Sequence, residues 1–259
     1  MAGNFPDKSG LAVEVYDRLA HELMSGALPP GTRLKIRDLA DKMGVSVTPV
    51  RDAVWRLVNH GGLQFQSPRD IRVPVLERSR YLEIRTIRLD LEGLAAERAA
   101  EIATAQDIAR LEALVRDNEA ALSSGDHLQA LRLNQQFHLA LPEIARMPIL
   151  LDLLQKLWLQ MGPLISSGYR HGGRVMIEYH YPVLDAIRAG NSAAARKAIQ
   201  GDILAGGDVL WHRGALAANV MQDEDRLTQA APRHVAHTCP HEADHPPQKA
   251  TSHPEGGTQ

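Results

Sequence analysis

The chain has 259 residues, of which 44% are hydrophobic, 23% charged and only 4% aromatic, values that suit one large or two small soluble domains and favour helix over sheet. Its net charge of −2 excludes a strongly basic chain. The N-terminal residues 1–76 hold ten Lys and Arg against eight Asp and Glu, an excess of positive charge too small to indicate a partner. No apolar run approaches the ~18 residues of a membrane span, the N-terminus lacks a signal-peptide pattern, and a single cysteine excludes an internal disulfide, so we expect a cytoplasmic protein.

Residues 1–76 predict a winged helix-turn-helix. Apolar residues at helical spacing indicate helices over 11–24, 36–43 and 46–60, with Gly44 ending the second and Ser46 capping the third. Short strands over 63–66 and 71–73, around the turn 67–70, predict a hairpin after the third helix. A tight turn between two short helices, followed by a two-stranded wing, is the arrangement that reads the major groove of DNA.

Beyond Pro74 the pattern is purely helical. We expect helices over 79–103, 105–123, 127–141, 148–167, 174–189 and 192–213, with Thr104, Asp126 and Ser192 as N-caps. The fold class is therefore mostly α, with an all-α bundle of six to seven helices over 77–221. Residues 222–259 are rich in Pro, His, Gly and charge, which predicts a disordered tail whose histidines bind metal only adventitiously.

The exposed face of helix 46–60 is the expected DNA-binding surface. It carries Val47, Thr48, Arg51, Asp52 and Trp55, and the wing presents Arg69 and Arg72. Arginine can bind a guanine edge or a phosphate, and a threonine hydroxyl can donate to a phosphate. The alternative from spacing alone is that these are solvated charges on a small helical domain.

The stretch from Gly26 to Leu34, GALPPGTRL, followed by LADKMGVSVTPVRDA from Leu39 to Ala53, resembles the GntR family of bacterial transcription regulators. The resemblance spans the whole N-terminal domain and implies DNA contacts from Arg37, Ser46, Thr48 and Arg51. Val47 stands where that family usually has arginine, and an aliphatic side chain can touch only a thymine methyl. We therefore expect an altered operator or weaker DNA binding than is usual in the family.

Polar residues on otherwise apolar helical stripes suggest a buried site in the second domain. Asn134 and His138 are four residues apart on one helix face, His180 is expected in mid-helix beside apolar neighbours, and Asp202 lies on the last helix. Converging in a bundle, such groups can supply nitrogen and oxygen ligands to a divalent metal. The alternative is that each is a satisfied core or surface residue.

The second domain resembles the FCD sensor subgroup of the GntR family over residues 79–215. The resemblance is carried by IRLDLEGLAA from Ile87, NQQFH from Asn134, Tyr179-His180 and Asp185-Ala186-Ile187. It implies a metal bound by an acid and three histidines, at positions that here read Asn134, His138, His180 and Asp202. We expect a divalent ion, zinc in the first place, with nickel and manganese open.

Arg88 resembles the arginine that holds a carboxylate effector in related sensors, which implies a small organic acid as the effector. The alternative is an ion pair with Glu92, four residues on. Met147 stands where the subgroup often has asparagine.

Together these features predict a ligand-responsive regulator that binds an inverted-repeat DNA operator as a homodimer, and the resemblance implies a repressor as the commoner case, with an activator open. Two alternatives stay open at this point. One is a metal-dependent helical hydrolase, and the other is a regulator that senses an acyl ligand without metal.

Overall fold

The computed structural model of the chain describes residues 8–213. Its N-terminal part contains α1 (Lys8–Met24), β1 (Arg33–Leu34), α2 (Ile36–Met43), α3 (Val47–Asn59), β2 (Gln64–Ser67) and β3 (Asp70–Arg72). The three strands form one antiparallel sheet in the order β1-β3-β2. The predicted winged helix-turn-helix is confirmed, and β1, which the sequence did not predict, pairs Arg33 and Leu34 with Arg72 and Ile71.

This domain closes around one apolar core to which every element contributes. Its fully buried side chains include Leu19 and Leu23 of α1, Val50 and Leu57 of α3, and Ile71 of β3. Gly44 ends α2 in the left-handed conformation, with φ 68° and ψ 30°, as expected. That conformation is readily open only to glycine and turns the chain sharply into α3.

The second part is, within residues 8–213, a bundle of six α-helices. They are α4 (Arg78–Ile102), α5 (Ala105–Ser123), α6 (His127–Ile144), α7 (Pro148–Gly172), α8 (His180–Arg188) and α9 (Ser192–Arg213), with a 3₁₀ turn over Gly173–Met176. Two apolar clusters fill the bundle, one around Phe137, Leu154 and Val183, the other around Trp158 and Tyr169. The mostly helical fold class is confirmed.

Helix boundaries follow the local chemistry, with two corrections. Thr104 forms a capping box with Asp107, and Asp126 accepts a hydrogen bond from the backbone N–H of Gln129, as predicted caps should. At α9 the side chain that accepts the backbone N–H of Ala194 belongs to Asn191, so the prediction of Ser192 as the cap is wrong.

The predicted single helix over 174–189 is also wrong. Gly173, at φ 52°, ends α7 and starts the 3₁₀ turn, after which α8 begins at His180. His180 is therefore the first residue of a helix and not a mid-helix residue.

The two parts pack against each other through α1 and α7. Leu159 of α7 belongs to the core of the winged domain. A Cβ on Gly162 of α7 would lie 2.5 Å from the Cα of Met24, so the lack of a side chain lets α1 approach. Within residues 8–213 no helix is both long and apolar enough to cross a membrane. The predicted tail over 222–259 lies outside the described residues.

Candidate nucleic-acid interface and metal centre

The N-terminal half of α3 presents the predicted DNA-contacting residues. Thr48 and Arg51 are exposed, and Ser46 sits at the N-cap position, where its hydroxyl makes no capping hydrogen bond within the described chain. Val47 is half-buried and packs against the core of the winged domain. Val47, which replaces the family's usual arginine, is thus only partly accessible to DNA.

The remaining predicted contacts flank α3. Arg37 is exposed in the first turn of α2, and Arg69 is exposed in the turn between β2 and β3. Arg72 donates from Nε and Nη2 to the two carboxylate oxygens of Asp70, each over 3.2 Å. Arg33 pairs with the same carboxylate over 3.1 Å. Arg69 is accordingly available at the tip of the wing, whereas Arg72 is held along its strand.

In the bundle, three helices bring together three of the four predicted metal ligands. His138 of α6, His180 at the start of α8 and Asp202 of α9 each offer one ligand atom, and these atoms lie within 4.8 Å of one another. Nε2 of His138 lies 3.1 Å from Oδ2 of Asp202, and Nε2 of His180 lies 3.6 Å from Oδ1. All three side chains are buried.

The separations suit a tetrahedral divalent ion. With zinc–ligand bonds of about 2.1 Å, neighbouring ligand atoms of a tetrahedron lie about 3.4 Å apart. The two separations, 3.1 and 3.6 Å, are close to that length, although each joins a histidine to a different oxygen of Asp202. Both ring nitrogens of His180 are buried without a hydrogen-bond partner among residues 8–213, an arrangement that costs free energy unless something ligates them. The donor set therefore fits a metal.

Asn134, the fourth predicted ligand, is buried on α6 and lines the same cavity as His138 and Asp202. Its backbone N–H donates to the side-chain oxygen of Asn118 once that amide is oriented to satisfy its neighbours. Its side-chain carbonyl is a weaker ligand than a carboxylate.

Behind His138 lies a buried ion-pair chain. Nδ1 of His138 lies 2.5 Å from Oε2 of Glu92, and Nε of Arg88 donates to Oε1 of Glu92 over 2.6 Å. A carboxylate on one ring nitrogen fixes the orientation of an imidazole and directs the other nitrogen to a ligand. The structure thus forms the Arg88–Glu92 pair, and the same carboxylate orients His138.

The pKa values of the two histidines are shifted in opposite directions. Burial raises the pKa of Glu92, but Arg88 and His138 outweigh it and bring the pKa to about 2. Burial lowers the pKa of His138, yet Glu92 and Asp202 raise it to about 9. Burial lowers the pKa of His180 to about 4, against the opposing effect of Asp202. Two buried carboxylates therefore hold one proton on His138 where a cation could stand instead.

A small cavity opens beside these groups. Its volume is about 30 Å³, and Arg85, Arg88, Tyr81 and Trp158 line it together with Asn134, His138 and Asp202. At ~10–15 Å³ for each water, the cavity has room for about two water molecules. The guanidinium of Arg88 lies 4.4 Å from the ring centroid of Trp158, which rigidifies it. A ligand larger than about two water molecules would therefore need the surrounding helices to move apart.

Sequence reasoning missed three of these participants. Glu92 was readable only as the partner of Arg88, because its contact with His138 joins residues 46 apart. Arg85, three residues before Arg88 on α4, shares its helical face, and that spacing was a usable signal. Trp158 gave no signal, since an aromatic residue in an apolar stripe predicts only core.

Comparison with known proteins agrees with both halves of the molecule. The family model described as bacterial regulatory proteins, gntR family, matches residues 11–73, and the FCD domain model matches residues 83–204. The chain is 35% identical over 190 residues to the HTH-type transcriptional regulator McbR of Escherichia coli (strain K12), an alignment that covers 72% of this chain and 86% of that protein. It is 26% identical over 188 residues to the uncharacterized HTH-type transcriptional regulator YdhC of Bacillus subtilis (strain 168), covering 71% of this chain and 84% of YdhC.

Solved structures show the same arrangement. E. coli McbR/YncC superposes with a TM-score of 0.74 at 33% identity, over 78% of this chain and 98% of that one. A putative GntR transcriptional regulator from Rhodococcus sp. RHA1 has a TM-score of 0.67 at 20% identity, over 78% and 98% of the two chains, and shows the fold alone.

Proposed function

Because the chain belongs to the GntR family of bacterial transcriptional regulators and carries an FCD domain, we propose that it represses transcription in response to a small organic acid held at a metal-containing site. DNA binding and regulation follow from the family. The family consists of regulators and not of enzymes, so the hydrolase alternative is wrong. The protein would act in the cytoplasm, where its DNA target lies.

The proposed DNA contacts divide by chemistry. Arg51 reads a guanine edge, since a guanidinium can donate twice to one guanine. Arg37, Ser46, Thr48 and Arg69 bind phosphates and fix the position of α3 on the duplex. Arg72 supports the wing through Asp70 and contributes less. Two copies of the winged domain, over residues 1–76, would read the two halves of an inverted repeat, which requires a homodimer.

The observation that carries the sensor proposal is the convergence of His138, His180 and Asp202 within 4.8 Å, in the helical domain we assign to residues 77–221. Together with Asn134 they would hold a divalent ion, zinc in the first place, with nickel or manganese as the other candidates. When bound, the ion supplies a position that accepts an oxygen of an acid.

Charge balance favours an anionic effector. Arg85 and Arg88 with a divalent ion would exceed Glu92 and Asp202 by two positive charges around the cavity. Such an excess in a poorly solvated place is relieved by an anion. The N–H groups of Arg88 beyond Nε would bind the second carboxylate oxygen of the effector. A cavity of about 30 Å³ would need only a slight movement of the helices to admit a small acid, whereas a long acyl chain would need a much larger one.

Helix α7 offers a route from this site to the DNA-binding domain. Trp158 contacts Arg88 and lies 5.1 Å, between ring centroids, from His138. Its neighbour Leu159 is buried in the core of the winged domain. An acid that separates α4 from α7 would therefore shift Leu159 and change the spacing of two DNA-binding domains, which is a coupling free energy between sites.

The test measures the metal content of the protein and its release from DNA by an acid, in the native chain and in a variant without the histidine ligands. Elemental analysis of the full chain should find about one divalent ion per protomer, and gel shifts on an operator selected from a random duplex pool should show release by one class of small organic acid. The His138→Ala, His180→Ala double variant should lose the ion and the response but still bind the operator. His127→Ala, an exposed histidine on α6, is the matched control.

Two results would contradict the sensor proposal. Metal-free protein that still responds to a small acid would show that the acid does not need the ion. Protein that responds to acyl ligands and not to small acids would favour the acyl-sensing alternative.

A further inference from the structure

The winged domain exposes an aromatic pair beside its recognition helix. Trp55 of α3 is 52% exposed, and it is the largest of the exposed apolar side chains in the described part of the chain. Its ring lies 4.9 Å, between centroids, from that of Phe65 in β2, at an interplanar angle of 54°. A tryptophan that stays half in solvent while a phenylalanine holds it in place is unusual, since most of this surface is normally buried.

The pair forms one wall of a groove between α3 and the wing. The groove has a volume of about 480 Å³ and is lined by Ile36, Arg51, Trp55, Phe65, Ser67 and Pro68. Its six described lining residues include no carboxylate, and the nearby Asp70 is paired with Arg33 and Arg72. The groove is therefore apolar in its middle and positively charged at one edge.

Trp55 shares its helical face with the proposed DNA contacts. Thr48, Arg51 and Trp55 are spaced i, i+3 and i+7, so they lie along one side of α3. Arg51 belongs both to this face and to the groove. The groove is thus a direct continuation of the surface that the family uses for DNA, and its positive edge suits a polyanion.

One apolar group stands in the major groove of DNA, the 5-methyl group of thymine. Val47 is poorly placed to contact it, because that side chain is half-buried against the core. Trp55 is exposed, restrained and two turns further along the same helix. We propose that the groove lined by Trp55 and Phe65 binds operator DNA and that Trp55 reads a thymine methyl group in each half-site.

This proposal rests on the proposed DNA-binding function and adds a residue that determines sequence specificity. The recognition helix would then combine Arg51, which selects guanine, with Trp55, which selects thymine. Such a division compensates for the missing arginine at Val47 with an apolar contact at the other end of the exposed face.

The experiment uses the full chain and an operator selected from a random duplex pool. Each thymine of one half-site is replaced in turn by deoxyuridine, which removes only the methyl group. We expect one or two positions at which the affinity falls about four-fold, the effect of losing one buried methyl group. In Trp55→Ala the same replacements should have no effect, and operators selected by that variant should lose the preference for thymine there.

A cross-linking measurement locates the contact directly. With 5-bromodeoxyuridine at the sensitive position, irradiation should join the DNA to Trp55 in the native chain and in Val13→Ala, an exposed-apolar control in the same domain. Trp55→Phe should retain part of the deoxyuridine effect. Because Trp55 is 52% exposed and its contact with Phe65 lies at the edge of the domain, Trp55→Phe should keep the thermal unfolding temperature of the native chain and Trp55→Ala should lower it only slightly.

Three outcomes would overturn the proposal. The first is an unchanged operator and affinity for Trp55→Ala. The second is a uniform loss of affinity without thymine dependence, which would mean contact with the sugar-phosphate backbone alone. The third is an altered oligomeric state of Trp55→Ala with unaltered DNA binding, which would assign the groove to a second copy of the chain. If the native chain selected no operator, the proposed DNA-binding function would be refuted as well. The three outcomes above refute only the role of Trp55.

Discussion

The two functional surfaces of this molecule are built in opposite ways. The proposed DNA-binding face is made of exposed side chains that are close in sequence, nearly all between Arg37 and Arg69. The candidate metal centre is made of buried side chains from α4, α6, α8 and α9, separated by up to 110 residues between Glu92 and Asp202. The first can change without disturbing the fold, whereas the second is part of the fold.

This difference has an energetic side. Exposed charges are well solvated, so a substitution on the DNA-binding face should alter affinity and leave stability nearly unchanged. Buried charges depend on their partners, because an unpaired charge in a dry interior costs several kcal/mol. Substitutions at the metal centre should therefore lower stability together with ligand response.

The largest expected effect is on the buried side. Glu92→Gln leaves Arg88 and His138 without their shared carboxylate, and we expect the free energy of unfolding of the metal-free protein to fall by about 3–5 kcal/mol. Urea titrations followed by circular dichroism measure this. Glu83→Gln, an exposed partner of Arg80, should change it by less than about 0.5 kcal/mol. Equal losses of unfolding free energy in Glu92→Gln and Glu83→Gln would contradict the proposed difference between buried and exposed charges.

On the exposed side, Arg51→Ala should remove a guanine contact from each half-site. We expect operator affinity to fall by about 1–3 kcal/mol per half-site, with the free energy of unfolding unchanged within about 0.5 kcal/mol. Gel shifts and urea titrations on one preparation test both halves of the statement. Arg116→Ala, an exposed arginine of α5, is the control and should alter neither quantity. A destabilised Arg51→Ala would show that this face also supports the fold.

The same difference decides what the sequence could predict. The winged domain was foreseen almost element by element, because local signals such as Gly44 and the turn at Pro68 fix its boundaries. The missed strand β1 has only two residues and exists through pairing with β3, which no local pattern reveals. Similarly, the predicted helix over 174–189 begins only at His180, because a 3₁₀ turn over Gly173–Met176 occupies its first residues, and no local pattern in the sequence indicated that turn.

For the metal centre, the resemblance supplied the ligand positions and the structure supplied the partners. His138, His180 and Asp202 were named in advance and do converge. The contacts of His138 with Glu92 and Trp158 could not be foreseen, since contacts between α4, α6 and α7 follow from packing and not from spacing along one helix. Buried sites of this kind are predictable in their ligands and poorly predictable in what holds the ligands in place.

Gly162 lies where α7 of the helical domain packs against α1 of the winged domain, and a substitution there tests whether the two domains are coupled. A methyl group there would meet the Cα of Met24 at 2.5 Å and its carbonyl oxygen at 2.6 Å, so Gly162→Ala must push α1 away from α7. We expect a loss of about 1–3 kcal/mol in the free energy of unfolding and a weaker effect of the acid on operator affinity. In Gly10→Ala, where nothing lies within 4 Å, the added methyl group should raise stability slightly. A full acid response in Gly162→Ala would exclude α7 as the route.

The smallest expected effect is that of a substitution at Asn134, which tests whether this residue binds the ion or only lines the cavity. A carboxylate binds a divalent ion more tightly than an amide carbonyl, so Asn134→Asp should raise zinc affinity about ten-fold, or ~1.4 kcal/mol, if this residue is a ligand. Competition against a chromogenic chelator measures the change. Gln129→Glu adds the same charge at an exposed position of α6 and should leave the affinity unchanged. Because the introduced carboxylate, without an ion, would be a third buried carboxylate in this part of the bundle, the metal-free variant should also be less stable, and only the bound ion should restore it. If the metal-free Asn134→Asp variant were instead more stable than the native chain, the new carboxylate would be pairing with Arg88. Residue 134 would then line the effector cavity without binding the ion.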